Sequence, residues 1–280
     1  MKTEREVSID SDPTWLIVFL AVVAAYIVLN QLVDAAVTSE TAVTQHAVET
    51  VWFLGLAAIG LGFLYLDDAD AADIGLSRPF VAPGFGAFIA VWVGLNVVGV
   101  GLALASGNPW GADLLTSVSV GALAATMSYA FIEELVFRGY LQGKVRSVLG
   151  GNSWLSRAGA VVTAGVLFAL AHVPRILVEG GYVSGVSVVG TLVVLTLSGA
   201  GFGIVYELTE NLYFVGLLHG LGNSWPLLVD GFAWDGPAQT GFLVSIAILY
   251  LGVTVAYRRL TADTRVTPYV RIEKGNESAS

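Results

Sequence analysis

The sequence predicts an all-α fold, a polytopic transmembrane helical bundle with about eight transmembrane helices. Three observations carry this reading. Of 280 residues, 55% are hydrophobic and only 12% charged, where soluble domains carry about 25% charge. The mean hydropathy is +0.75. Apolar runs of about 20 residues, the length a helix needs to cross a bilayer, recur along the chain. A single membrane-embedded domain over 1–262 accommodates them, followed by a flexible cytoplasmic tail at 263–280.

The runs can be taken in order. Trp15 to Val33 contains no charge and follows a polar segment ending at Asp12 and Pro13; the mixed, acidic character of that segment argues against a cleavable signal. The second run, about 50–66, stops at Asp67, Asp68, Asp70 and Asp73. The third lies within 80–106. The fourth starts after Asp113 and continues through the charged stretch FIEELVFRGYLQGKVRSV. The fifth to eighth occupy about 158–174, 181–206, 211–229 and 237–257, with runs four, five and seven shorter or less apolar than ideal. Gly and Pro in GNPWG, HVPR and DGPAQ mark turns or helix ends, and Trp15, Trp110, Trp154 and Trp234 read as interfacial anchors near span ends.

Basic residues set the orientation. With eight crossings, Lys2, Arg5, Arg78, Lys144, Arg146, Arg157, Arg258, Arg259, Arg265, Arg271 and Lys274 share one side and only Arg175 lies on the other. Lysine and arginine collect on the cytoplasmic side, so the expectation is a multi-pass protein of the cell (plasma) membrane with both termini cytoplasmic. A formal net charge of -9 argues against nucleic acid as a partner. With no cysteine, thiolate chemistry and disulfides are excluded.

Function is written in the polar residues inside apolar helices. Glu133 and Glu134 lie about 15 Å inward from Lys144 along the fourth helix, where a central charge costs roughly 2.5 to 3.5 kcal/mol. Glu134 and Arg138 are spaced i,i+4 and can pair, whereas Glu133 is turned about 100° away and has Phe137 four residues on, which leaves its carboxylate for chemistry. His172 sits about 22 Å along its helix from Arg157. His219 and Asn223, again i,i+4, share a face about 14 Å in from Glu210, with Gly216, Gly220 and Gly222 allowing close helix approach. Three helices thus bring a carboxylate, two imidazoles and a carboxamide to overlapping depths.

No GxSxG elbow or HExxH zinc helix is present, and no Ser-Lys or Ser-His pair falls at matched depth, so water is the expected nucleophile, with a serine or threonine nucleophile left open. Glu133 with His172 would take its proton and return it to the leaving amine. His219 and Asn223 would donate to the oxyanion, and Glu134 with Arg138 would orient Glu133. Alternatives stay open from the residues alone. The acids could be helix glue; Glu133, His172 and His219 could bind a catalytic zinc; the polar core could line a transporter or belong to a non-catalytic scaffold or immunity protein.

Together the motifs resemble the CPBP family, the intramembrane CAAX-protease group that includes the type II prenyl endopeptidases. Its EExxxR motif is matched by Glu133, Glu134 and Arg138, its FxxxH by Phe168 and His172, and its HxxxN by His219 and Asn223. The matching core covers about 114–229. The resemblance implies an intramembrane endopeptidase with the catalytic assignments given above, acting near the C-terminus of a hydrophobic or lipidated peptide or protein, with membrane lipids around it. It implies no cofactor, although a zinc-dependent version is the alternative.

Overall fold

The computed structural model describes residues 11–36, 42–112, 119–151, 153–179 and 187–261, and among them it contains helices and no strand. The tail expected at 263–280, together with Lys2, Arg5, Asp113, Arg265, Arg271 and Lys274, lies outside the described residues. In chain order the helices are α1 (Pro13–Ala36), α2 (Ala42–Leu66), α3 (Arg78–Ser106), α4 (Val120–Val148), α5 (Trp154–Ala171), α6 (Val173–Glu179), α7 (Val188–Thr209), α8 (Leu212–Ser224) and α9 (Gly236–Leu260). Among the described residues seven candidate crossings are long and apolar enough to span a membrane, α5 and α6 counting as one across the turn at His172, and the chain is therefore a multi-pass membrane protein.

Local chemistry sets the helix ends. The Asp12 carboxylate accepts a 2.9 Å hydrogen bond from the Thr14 amide, an N-cap placed before Pro13; that bond holds the Asp12 carboxyl below the usual carboxylate range. Ser119, Ser153 and Ser187 cap α4, α5 and α7 in the same way. Asn211 caps α8 by accepting from the Phe214 amide, and its own amide donates to the Phe80 carbonyl and the Tyr257 hydroxyl, each at 2.8 Å. One side chain therefore fastens the start of α8 to α3 and α9.

The run expected to cross at 211–229 is the element that departs most from its sequence reading. Helix α8 has 13 residues, a rise of about 20 Å, short of the roughly 30 Å hydrocarbon core. It stops because Pro226 follows: the residue before a proline is driven from the helical region, and Trp225 takes φ of 42° instead. Apart from Asn223 none of its side chains is exposed, so α8 is a core helix enclosed by its neighbours.

The closest helix pairings are α5 with α7, α4 with α8 and α3 with α9. Small residues permit the first two. A Cβ on Gly165 would stand 2.9 Å from the Ala200 amide nitrogen, and one on Gly199 would stand 3.1 Å from the Gly165 Cα. Gly216 and Gly220 lie against Phe131 and Met127 of α4, where a Cβ would meet their Cα atoms at 3.2 and 3.0 Å. Gly222, expected to help, faces open space with only Phe202 at 4.0 Å. The outer faces of the long helices carry exposed Ile17, Val51, Leu54, Val97, Val189 and Ile248, the surface that lipid covers.

Helix α4 is the charged axis of this apolar bundle. Its segment Leu135–Gln142 is π-helical and wholly buried. Lys144 and Arg146, read from sequence as loop charges, are buried. Lys144 pairs with Asp67 at 2.8 Å, and the other Asp67 oxygen accepts from the Tyr140 hydroxyl at 2.7 Å. Arg146 and Arg157 both reach Glu207, at 3.0 and 3.4 Å. Trp234 also departs from expectation: it is buried against Phe242 rather than placed as an interfacial anchor.

Candidate active site

The site grows from the α4 and α8 contact. Glu133 and Glu134 end the α-helical part of α4, and the wider π-helical turn begins at the next residue. Such turns are rare and concentrate at functional positions. Glu134 is fully buried and pairs with the fully buried Arg138, Nε to Oε2 at 3.1 Å, as the i,i+4 spacing predicts. The guanidinium also lies 5.3 Å from the centre of the Phe168 ring, a cation–π contact that helps hold a desolvated cation.

The other Glu134 oxygen takes a 2.8 Å hydrogen bond with His219 Nδ1. This departs from the sequence reading, which had Glu134 and Arg138 orienting Glu133. The close α4 and α8 approach at Gly216 and Gly220 puts the imidazole, rather than the neighbouring carboxylate, within reach of Glu134. Arg138, Glu134 and His219 form a buried polar chain, and because Nδ1 is engaged, Nε2 is the ring atom turned toward Glu133, whose carboxylate lies 3.7 Å away. Glu133 itself is one-fifth exposed. Of the two adjacent acids, one is sealed in the protein and the other faces open volume.

That volume is a cavity of about 490 Å³ whose lining includes Glu133, His172, His219 and Asn223. All four residues singled out from the sequence as catalytic candidates therefore border one space. Phe168 lines it too, while Glu134 and Arg138 stand behind. His172 occupies the turn between α5 and α6, its Nδ1 bonded to the Phe168 carbonyl at 2.8 Å. The Phe168 ring separates the two imidazoles, 4.7 Å from His172 and 5.8 Å from His219. Asn223, one turn beyond His219, is exposed on the cavity wall.

Sequence reasoning missed several wall residues. Phe202 of α7 stacks on the His219 ring at 4.8 Å and 24°, fixing its plane. Leu195, Ile204 and Val205 of α7 and Ile246, Tyr250, Leu251 and Thr254 of α9 complete the apolar sides. Ile204 is 48% and Leu251 58% exposed, so the cavity's open side lies along α7 and α9. Such residues look like ordinary span residues in sequence, and nothing in their spacing marks them.

As zinc ligands, Glu133, His172 and His219 would bind through the carboxylate and the two Nε2 atoms, since His219 Nδ1 is bonded to Glu134 and His172 Nδ1 to a backbone carbonyl. Among the described residues no three His, Asp or Glu side chains converge in a way that would hold a metal ion. Glu133, His172 and His219 border one cavity without forming such a group.

Residues 115–225 match the family model described as type II CAAX prenyl endopeptidase Rce1-like. No curated protein and no solved structure matches the chain. The matched stretch begins before α4, ends just after α8, and contains Glu133, Glu134, Arg138, Phe168, His172, His219 and Asn223. The chain is a multi-pass membrane protein in which residues 115–225 are similar to the type II CAAX prenyl endopeptidase Rce1-like family.

Proposed function

We propose that this protein is an intramembrane endopeptidase that hydrolyses a peptide bond near the C-terminus of a hydrophobic or lipidated peptide. The observation that carries the reading is the shared cavity: a partly open carboxylate, Glu133, lies 3.7 Å from His219 Nε2, and His172 and Asn223 border the same space. The open side along α7 and α9 suits a substrate that arrives from the lipid.

In this mechanism Glu133 accepts a proton from water as the water oxygen bonds to the scissile carbonyl carbon, and the carbonyl electron pair moves onto oxygen. His172 shares the holding of the water. The Asn223 amide and His219 Nε2–H donate to the oxyanion, stabilisation that typically amounts to about 10²- to 10³-fold in rate for each donor. His219 can donate from Nε2 while Nδ1–H is on Glu134 only when both nitrogens carry protons, and the carboxylates on its two sides balance that charge. Collapse of the intermediate breaks the C–N bond, and the proton held by Glu133 passes to the leaving amine. No metal takes part.

The test is cleavage of farnesylated and unmodified hydrophobic peptides by the purified protein in detergent. Glu133→Ala and His172→Ala are expected to lose nearly all turnover while keeping the wild-type unfolding temperature. Turnover is also expected to survive exhaustive chelation, with no metal found by elemental analysis. Full activity in Glu133→Ala, or its loss on chelation with recovery on adding zinc, would overturn the mechanism.

A further inference from the structure

Helix α9 lies beyond the family-matched residues, yet it supplies one wall of the cavity. Two polar side chains stand on that wall one turn apart, Tyr250 and Thr254. Several helical hydroxyls elsewhere in the protein bond back to a carbonyl of their own helix: Ser106 to Leu102, Ser128 to Ala124, Thr209 to Val205 and Thr261 to Tyr257, all at 2.7 or 2.8 Å. This is the usual resting place of a hydroxyl in an apolar helix. Thr254 does not make such a bond, nor do Thr191 and Ser224, and of these three only Thr254 lines the cavity. It is fully buried, its Oγ1 has no hydrogen-bond partner, and it lines the cavity. An unmade bond on a buried hydroxyl is costly, so its place on the cavity wall points to a partner that enters the space.

Tyr250 is complementary. Its hydroxyl donates to the Leu218 carbonyl at 3.4 Å, which leaves the phenol oxygen as an acceptor. The wall thus offers an acceptor and a free donor from residues one helical turn apart. An extended peptide presents a matching pair, because the N–H and C=O of one residue point to the same side of a strand. Leu218 immediately precedes His219, so the Tyr250 bond also fixes this wall relative to the imidazole.

We propose that Tyr250 and Thr254 form a backbone-binding subsite for one residue of an extended peptide, its N–H on the Tyr250 oxygen and its C=O on the Thr254 hydroxyl. The subsite reads hydrogen bonds common to every residue and leaves side-chain preference to the apolar walls. It rests on the endopeptidase reading for the nature of its ligand.

The experiment uses the full chain in detergent with a fluorescent hydrophobic peptide and a series of its N-methylated forms, one amide at a time. Tyr250→Phe and Thr254→Val each remove one polar atom with little change in shape. Each is expected to raise KM about 3- to 10-fold with kcat within about twofold, the size of one neutral hydrogen bond. N-methylation at one residue should weaken the wild type to the same degree and add nothing in Tyr250→Phe. Peptide hydrolysed with KM unmoved by either variant, or N-methyl effects equal in wild type and Tyr250→Phe, would overturn the subsite and leave the hydrolase standing. Peptide bound but not hydrolysed would end the hydrolase reading, and fluorescence anisotropy on the same set then decides the subsite by the same fold-changes in Kd. Peptide neither bound nor hydrolysed by a folded wild type would overturn both.

Discussion

Replacing Glu134 by Gln separates two jobs that one carboxylate performs. Glutamine keeps the shape and can still accept from His219 Nδ1, so the 2.8 Å contact that aims the imidazole can persist. The negative charge is lost. Arg138, fully buried and paired to Glu134 at 3.1 Å, becomes an uncompensated cation, and breaking a buried pair in this way costs about 3 to 5 kcal/mol. A second substitution, Arg138→Met, removes the stranded charge while filling similar volume, and replacing a whole buried pair by apolar groups is often neutral. Stability in Glu134→Gln/Arg138→Met should therefore return close to wild type. Activity should not: His219 still lacks the charge that balances its second proton, and turnover should stay about 10²- to 10³-fold down, the size of one lost oxyanion donor. The assays are unfolding of the purified variants in one detergent and peptide turnover at saturating substrate. A double variant that regains turnover along with stability would refute the reasoning and reduce Glu134 to a structural counter-ion.

Three further outcomes are expected. Asn223→Ala should lower kcat about 10²- to 10³-fold while KM and unfolding temperature hold, since Asn223 sits exposed on the cavity wall; steady-state kinetics checks both. Gly216→Ala places a Cβ 3.2 Å from the Phe131 Cα, and the strain, about 1 to 3 kcal/mol, should appear in unfolding together with reduced turnover as His219 moves from Glu133. Lys144→Met leaves Asp67 buried without its 2.8 Å cation and should destabilise the protein by about 3 to 5 kcal/mol; added Asp67→Asn should recover most of the loss in the same measurement.

What the sequence revealed followed from the range of each clue. Spacing within one helix is local, so the Glu134 and Arg138 pair was legible, as was the shared face of His219 and Asn223. Depth counted from charged residues put Glu133, His172, His219 and Asn223 at overlapping levels, and all four border one cavity, although Lys144, one of the reference points, is itself buried. Pairing between helices was not legible, because it depends on how closely two helices approach: the bond from Glu134 to His219 joins residues 85 apart. Lys144 and Arg146 were read as loop charges for the same reason, their partners Asp67 and Glu207 lying 77 and 61 residues away. The short α8 was hidden because its apolar composition continues past the point where Pro226 ends the helix. Tyr250 and Thr254 gave no signal, since an isolated hydroxyl in an apolar run is ordinary until its neighbours are known.

Because α8 is too short to reach both faces of a bilayer and keeps its flanks within the protein, its placement is decoupled from the thickness of the surrounding lipid. Long outer helices answer a thicker or thinner membrane by tilting, but α8 is held at its head by Asn211 and along its length by α4. The register between Glu133 and His219 is therefore a property of the protein interior, and it travels unchanged between membranes of different acyl-chain length.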